Sequence, residues 1–382
     1  MSTNYTALAA EHTKLGASFT DFGGWQMPLK YSSELAEHHA VRTSAGIFDL
    51  SHMGEIWVSG PDAAAFMDYA LVGRISAMAV GKAKYSLICG ADGGIIDDLI
   101  TYRRPADADG KDRFLVVPNA GNARVVGVEL AARAAGFDVV VEDASAATSL
   151  IAVQGPAAER ILLRLVPASG HHLVTELKYY AAVEVPVLAG ATEQRLLLAR
   201  TGYTGEDGFE IFIPNDHAAS LWRALLASAD DGELVPAGLA CRDSLRLEAG
   251  MPLYGNELSR DVDPFTAGLG GVVALSKAAD FVGKAALTAA KEAGAGTTTG
   301  RRLVGLRGMG RRTGREHYRV LHGGAAVGEI TSGQPSPTLK YPIAMAYVDV
   351  GCARPGTALD VDVRGRPEPF EVVELPFYHR TK

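Results

Sequence analysis

Cysteine is scarce in this chain of 382 residues: Cys89, Cys241 and Cys352 lie far apart and form neither a Cys-x-x-Cys pair nor a Cys/His cluster. That spacing points away from a disulfide framework and from a zinc site. A reducing compartment, the cytoplasm, is the expected location. No apolar run is long enough to span a bilayer. The N-terminal stretch MSTNYTALAAEHTKLG has neither the basic-then-apolar layout of a secretory signal nor the Arg-rich, acid-poor character of a transit peptide. A basic excess is also missing, since 37 Lys and Arg face 44 Asp and Glu for a formal charge of -7. Nucleic acid, which is bound through a basic face, is therefore not the expected partner. Several catalytic signatures are absent too. Gly283-Lys284 lacks the surroundings of a Walker A loop, and there is no GxGxxG opening, GxSxG elbow or HExxH helix. His38 and His39 are adjacent and diverge on a helix, which is poor geometry for one metal ion, and no metal site is expected.

What is present is a two- or three-domain length, an apolar content near half, and a stretch of unusual strand chemistry. Gly93-Gly94-Ile95-Ile96-Asp97-Asp98-Leu99-Ile100 places two adjacent acids in an aliphatic, β-branched strand. Side chains alternate along a strand, so only one of Asp97 and Asp98 can face a given pocket. An ionised carboxylate among aliphatic neighbours is costly unless a donor or cation meets it. Either one acid is a proton acceptor or anchor in a site, or both are solvated near a sheet edge. Strand parity alone leaves both readings open.

Taken in order, Phe22 to Pro28 reads as an aromatic loop or strand end, and Trp25 is either core or the wall of a flat pocket. Ser32 or Ser33 caps a helix that carries Glu34 and Glu37 in its first turn. Met53 precedes an alternating strand and fills either a core gap or a pocket wall. Tyr85 lies in the first arm of a hairpin that turns at Gly90 to Gly94. Asn119 ends a strand before a helix, as a cap or as a pocket amide. In Gly202-Tyr203-Thr204-Gly205-Glu206-Asp207-Gly208-Phe209-Glu210, parity sets Glu210 opposite Phe209 and Ile211. Its faint likeness to the GGIIDDLI stretch hints at two related sub-domains. The helix from about Leu239 to Ala249 puts Arg242 and Arg246 one turn apart, with an Asp243–Arg246 pair as the structural role for Arg246. Residues 293 to 300 read as a linker. Beyond them, short β segments suggest a small all-β module. An arginine run from Arg301 to Arg319 is either a solvated face or a surface for an acidic partner.

The blocks FGGWQMP, EHHAVRTSAGIFDLSHM, GGIIDDLI, VPNAG, GYTGEDGFEI, RDSLRLEAGMPLYGNEL and TSGQPSPTLK occur in that order from Phe22 to Lys340. Together they resemble the glycine cleavage system T-protein family of tetrahydrofolate-dependent aminomethyltransferases. The resemblance implies a three-domain α+β cloverleaf. Residues 1–290 would form two interleaved α+β sub-domains around a folate cavity, 291–300 a linker, and 301–382 a C-terminal β-barrel-like domain. It implies Asp98 as the catalytic acid, which breaks the tie with Asp97, and folate contacts from Met53, Tyr85, Asn119, Tyr203, Glu210 and Arg242. It also implies tetrahydrofolate as co-substrate and a lipoyl group carried by a partner, the H-protein. Two departures stand out: Gly271 follows Gly268-Leu269-Gly270 where the family often has an aromatic residue, and only Tyr378 lies near the expected pocket tyrosine after the Leu-Pro-Phe block. The alternatives are a folate-dependent demethylase on the same scaffold and a non-catalytic folate-binding protein. The Cys-containing KGCYxGQE-like block of the related iron–sulfur assembly factors is absent.

Overall fold

A computed structural model describes residues 3–190 and 192–380. The chain divides into two compact units: residues 1–66, 77–84 and 99–243 form the first, and 67–76, 85–98 and 244–382 the second. The architecture mixes helices with sheets and ends in a closed barrel. Among the described residues no helix is long and apolar enough to cross a membrane.

The first unit is built on a six-stranded sheet. Its spatial order is Ala182–Ala189, Thr192–Ala199, Gly208–Pro214, Thr148–Gln154, Ala45–Asp49 and Leu234–Pro236. One face of the central strands is apolar and packs under helix Asn215–Ser228, with Ile47, Ile151, Val153, Phe209, Ile211 and Trp222 all completely buried, while the opposite face carries Gln154 and Glu210. Each such side chain contributes roughly 1.5–3 kcal/mol of burial. Pro186 sits in the outermost strand, where a missing N–H costs no ladder bond. A further layer pairs the Leu99 to Arg104 end of strand Ile95–Arg104 with Asp112–Pro118, which continues to Ile56–Gly60 and Val140–Asp143.

The aromatic stretch near the N-terminus is a hairpin rather than a loop. Strands Ser18–Phe22 and Trp25–Lys30 pair across Gly23 and Gly24, whose φ values of 60° and 85° suit a type I′ turn. Pro28 does not stop the strand, since each arm of a two-stranded sheet is an edge. Trp25 is half-buried and lies outside the sealed core. Helix Glu34–Thr43 starts as expected, with the Ser33 hydroxyl accepting from the Ala36 N–H at 3.1 Å. Glu37 folds back to accept from the N–H groups of Tyr31, Ser32 and Gly238 at 2.7, 2.9 and 3.0 Å. Its carboxylate thereby fixes the start of helix Leu239–Glu248, which carries Arg242.

In the second unit the barrel closes in the order Arg301–Gly308, Pro342–Asp349, Ala325–Pro335, Arg319–His322, Ala358–Asp362 and Pro367–Val373. Leu306, Val320, Ile330, Ala346 and Val361 fill it. The arginine run is therefore not one face. It spans two barrel strands and the loop between them, and Arg301, Arg312 and Arg319 pair with Asp349, Glu368 and Asp362. Residues 293–300 turn on themselves, the N–H groups of Thr297, Thr298 and Thr299 all bonding the Gly294 carbonyl. Lys277 is buried and donates to the carbonyls of Leu71 and Gly73 at 2.6 and 3.0 Å, over the ring of Phe281.

Candidate active site

In the first unit, Glu210 occupies a central strand between Ala152 and Ala199. Only 8 % of it is exposed. The Thr201 hydroxyl donates to its Oε2 in a short bond, and the Tyr102 hydroxyl approaches the same oxygen at 3.3 Å. Oε1 receives neither. Burial raises the Glu210 pKa, while the Thr201 bond, the Arg242 charge and the Tyr102 bond pull against it. The Tyr102 phenol is pushed well up by burial and then by the Glu210 charge, so it stays a donor. Arg242 lies over Tyr203, with its guanidinium carbon 4.6 Å from the ring centroid, a cation–π arrangement that fixes the cation near Glu210.

The loop between Thr201 and Gly208 owes its shape to absent side chains. A Cβ on Gly202 would lie 2.0 Å from the Gln154 side chain, and one on Gly208 would lie 2.5 Å from it. Gln154 fills that space, donating to the Thr201 carbonyl at 3.1 Å and accepting from Thr204 at 3.0 Å. The two turn acids have structural partners: Arg42 binds Glu206 at 3.0 Å, and Arg200 forms a close pair with Asp207.

His52 is also buried here, edge-on to Phe22 at 5.5 Å. Burial, then the Arg242 charge, brings its pKa down to about 4, so the ring is neutral at neutral pH. Next to it, Met53 is half-buried and bonds the Leu50 carbonyl through its N–H at 2.9 Å. Asn119 precedes the short 3-10 turn Ala120–Asn122 but makes no side-chain capping bond to it.

In the second unit the hairpin presents Asp98, half-buried, with Tyr85 donating its hydroxyl to Oδ2 at 3.1 Å. Asp97, one residue away and on the opposite side of the strand, is fully buried. The turn is anchored from outside: the Ile95 N–H bonds the Val262 carbonyl at 3.0 Å and the Tyr254 hydroxyl the Ile95 carbonyl at 3.3 Å. At Gly271 a Cβ would find no heavy atom of the described residues within 4 Å.

The structure thus joins Glu210, Arg242 and Tyr203 in one cluster, and Tyr85 with Asp98 in another. Sequence pattern does not single out Thr201, Tyr102, Gln154 or His52 as parts of this site. Only Thr201 was in reach, as a hydroxyl at the mouth of the glycine-rich block.

These features define an α+β protein with a carboxylate-centred site and a closed C-terminal barrel. Residues 8–277 match the GCVT N-terminal domain, and residues 301–379 match the glycine cleavage T-protein C-terminal barrel domain. An aminomethyltransferase of Streptomyces coelicolor is 56% identical over 99% of this chain and 98% of its own. One from Bacillus subtilis is 41% identical over 98% and 99%. The crystal structure of glycine cleavage system aminomethyltransferase T from Bartonella henselae superposes with a TM-score of 0.88 at 37% identity, covering 99% of both chains. The chain belongs to the glycine cleavage T-protein family and is an aminomethyltransferase.

Proposed function

We propose that Asp98 is the proton acceptor in transfer of a one-carbon unit from the aminomethyl-lipoyl arm of H-protein to tetrahydrofolate. The products are 5,10-methylenetetrahydrofolate, ammonia and dihydrolipoyl H-protein. The chemical difficulty is to release ammonia while a ring nitrogen attacks an electron-poor carbon. A carboxylate near those nitrogens accepts a proton and offsets developing positive charge, more strongly in a dry site than in water. The observation that carries this reading is the Tyr85 hydroxyl on Asp98 Oδ2, which orients the carboxylate.

Glu210 holds the substrate. A pterin edge presents N–H donors, and a carboxylate is the matching acceptor. With Thr201 and Tyr102 both on Oε2, Oε1 is the atom offered to those donors. Arg242, stacked on Tyr203, braces Glu210 in its charged form and adds a planar set of donors. Neutral His52, Met53 and Asn119 complete the walls.

Asp98→Asn tests the assignment. The variant is expected to fold and to bind tetrahydrofolate within a factor of about ten of the parent. Ammonia release from aminomethylated H-protein falls at least about 100-fold. Near-normal turnover would remove Asp98 from the chemistry. An equal loss in a folded Asp97→Asn variant would show that the strand, not the individual acid, is what matters.

A further inference from the structure

We propose that the second unit carries a binding site for an amphipathic monocarboxylate, a small molecule with an apolar body and a single carboxylate, at the rim of the barrel. The half-open cavity there has a volume of about 690 Å³, within the roughly 300–1,000 Å³ typical of small-ligand sites. Its apolar lining includes buried Leu303 and Met345, which pack with Leu247 outside the barrel, and buried Val304, which faces the barrel interior. Its walls include Gly250, Gly268 and Gly296, which present backbone without side chains.

Two guanidiniums stand at this cavity, Arg302 and Arg354, both exposed. Among the described residues neither side chain has a hydrogen bond or an ion pair. Their neighbours in the barrel differ, since Arg301, Arg312 and Arg319 each hold an acid. Arg302 shares with Val304 and Leu306 the inward-facing side of its strand, which brings a cation to the end of an apolar wall. Glu374 also lines the cavity. Two cations and one carboxylate leave one net positive charge, which a single ligand carboxylate balances. A phosphate dianion or a polyanion would bring more negative charge than the wall offsets. Guanidinium groups suit a carboxylate geometrically, through paired N–H donors. The cavity has no residue in common with Asp98, Glu210 and the other candidates for the transfer reaction, so its occupation is a separate property of the chain.

The test is calorimetric titration of the full-length protein with 2-naphthoate at pH 7.5. One-to-one binding with a submillimolar Kd is expected. Arg302→Gln and Arg354→Gln should each weaken it at least fivefold, and the double variant at least twentyfold, with thermal midpoints unchanged because neither guanidinium has an internal partner. Glu374→Gln should tighten binding, a change of opposite sign that loss of fold cannot mimic. Neutral 2-naphthamide should bind at least tenfold more weakly. Absence of saturable heat, or equal affinity in the double variant, overturns the site. So does displacement by tetrahydrofolate without sensitivity to the arginine variants, which would place the probe in the folate site. Naphthyl phosphate binding as tightly as the carboxylate overturns the ligand class.

Discussion

Glu55 lies two residues after Met53, is fully buried, and among the described residues has no hydrogen-bond partner at either carboxyl oxygen. Burial, with a smaller push from the Asp143 charge, carries its pKa up to about 9. The carboxyl is thus protonated in the folded protein at neutral pH and ionised in the unfolded chain. Its contribution to stability is complete below pH 4.5 and drains away as pH rises toward 9, where the folded form also loses its proton. At pH 7 the loss is on the order of 3 kcal/mol. Glu55→Gln keeps the shape and removes the titration, so it should stabilise the protein at pH 7 to 8.5 and leave it little changed near pH 4.5. Urea midpoints across that range check this; parallel pH profiles for parent and variant would show that Glu55 does not carry the effect. At Gly271 the single-residue argument is steric. A Cβ meets nothing within 4 Å, so Gly271→Trp should fold with stability within about 0.5 kcal/mol of the parent. A lower KM for tetrahydrofolate in that variant would show that the added ring reaches the pterin, and an unchanged KM that it does not.

The hairpin carrying Tyr85 and Asp98 depends on its glycines as much as on its acids. A Cβ on Gly94 would sit 2.0 Å from the Arg260 carbonyl oxygen, a backbone atom that has no flexible end to move. Gly94→Ala must therefore displace either the loop 254–262 or the start of strand Ile95–Arg104. It should cost about 2 kcal/mol or more in stability and lower turnover by misplacing Asp98. Crowding should scale the loss, so Gly94→Val should be worse than Gly94→Ala in both thermal midpoint and kcat. A fully active Gly94→Val would mean that the turn does not position the acid. Much of this hairpin was readable in advance, because acids in an aliphatic strand and a glycine cluster are local signals with physical costs. The holders of Glu210 were not. Tyr102 reaches it from 108 positions away, and a nonlocal bond leaves no period or spacing in the chain. Strand Arg301–Gly308 was hidden for a related reason. Its first residue, Arg301, pairs with Asp349 on the neighbouring strand, and in one dimension such an arginine reads as part of a solvated run.

At the scale of the second unit, one buried ion pair ties helix, loop and barrel together. Arg246 and Glu257 are 1% and 0% exposed and bond at 2.9 Å, while Arg246 also donates to the Met251 carbonyl at 3.2 Å and to Ser332 of the barrel at 2.8 Å. Glu257 in turn accepts from the Leu253 N–H at 2.9 Å, and the Tyr347 hydroxyl bonds its carbonyl at 2.7 Å. Two turns of chain and two barrel strands thus converge on a single pair of charges. Arg246 is structural, but its ion pair is with Glu257, far beyond helical spacing, and not the expected one with Asp243. A buried pair of this kind adds little over an apolar substitute, but breaking it strands a charge. Arg246→Met should therefore cost about 3–5 kcal/mol, while Arg246→Met combined with Glu257→Leu should recover a good part of that loss. Urea unfolding of the two single variants and the double closes the cycle. A double variant as unstable as the sum of the singles would mean that the two side chains act separately, and that the barrel is joined to the helix end by apolar packing of Leu247, Leu303 and Met345 instead.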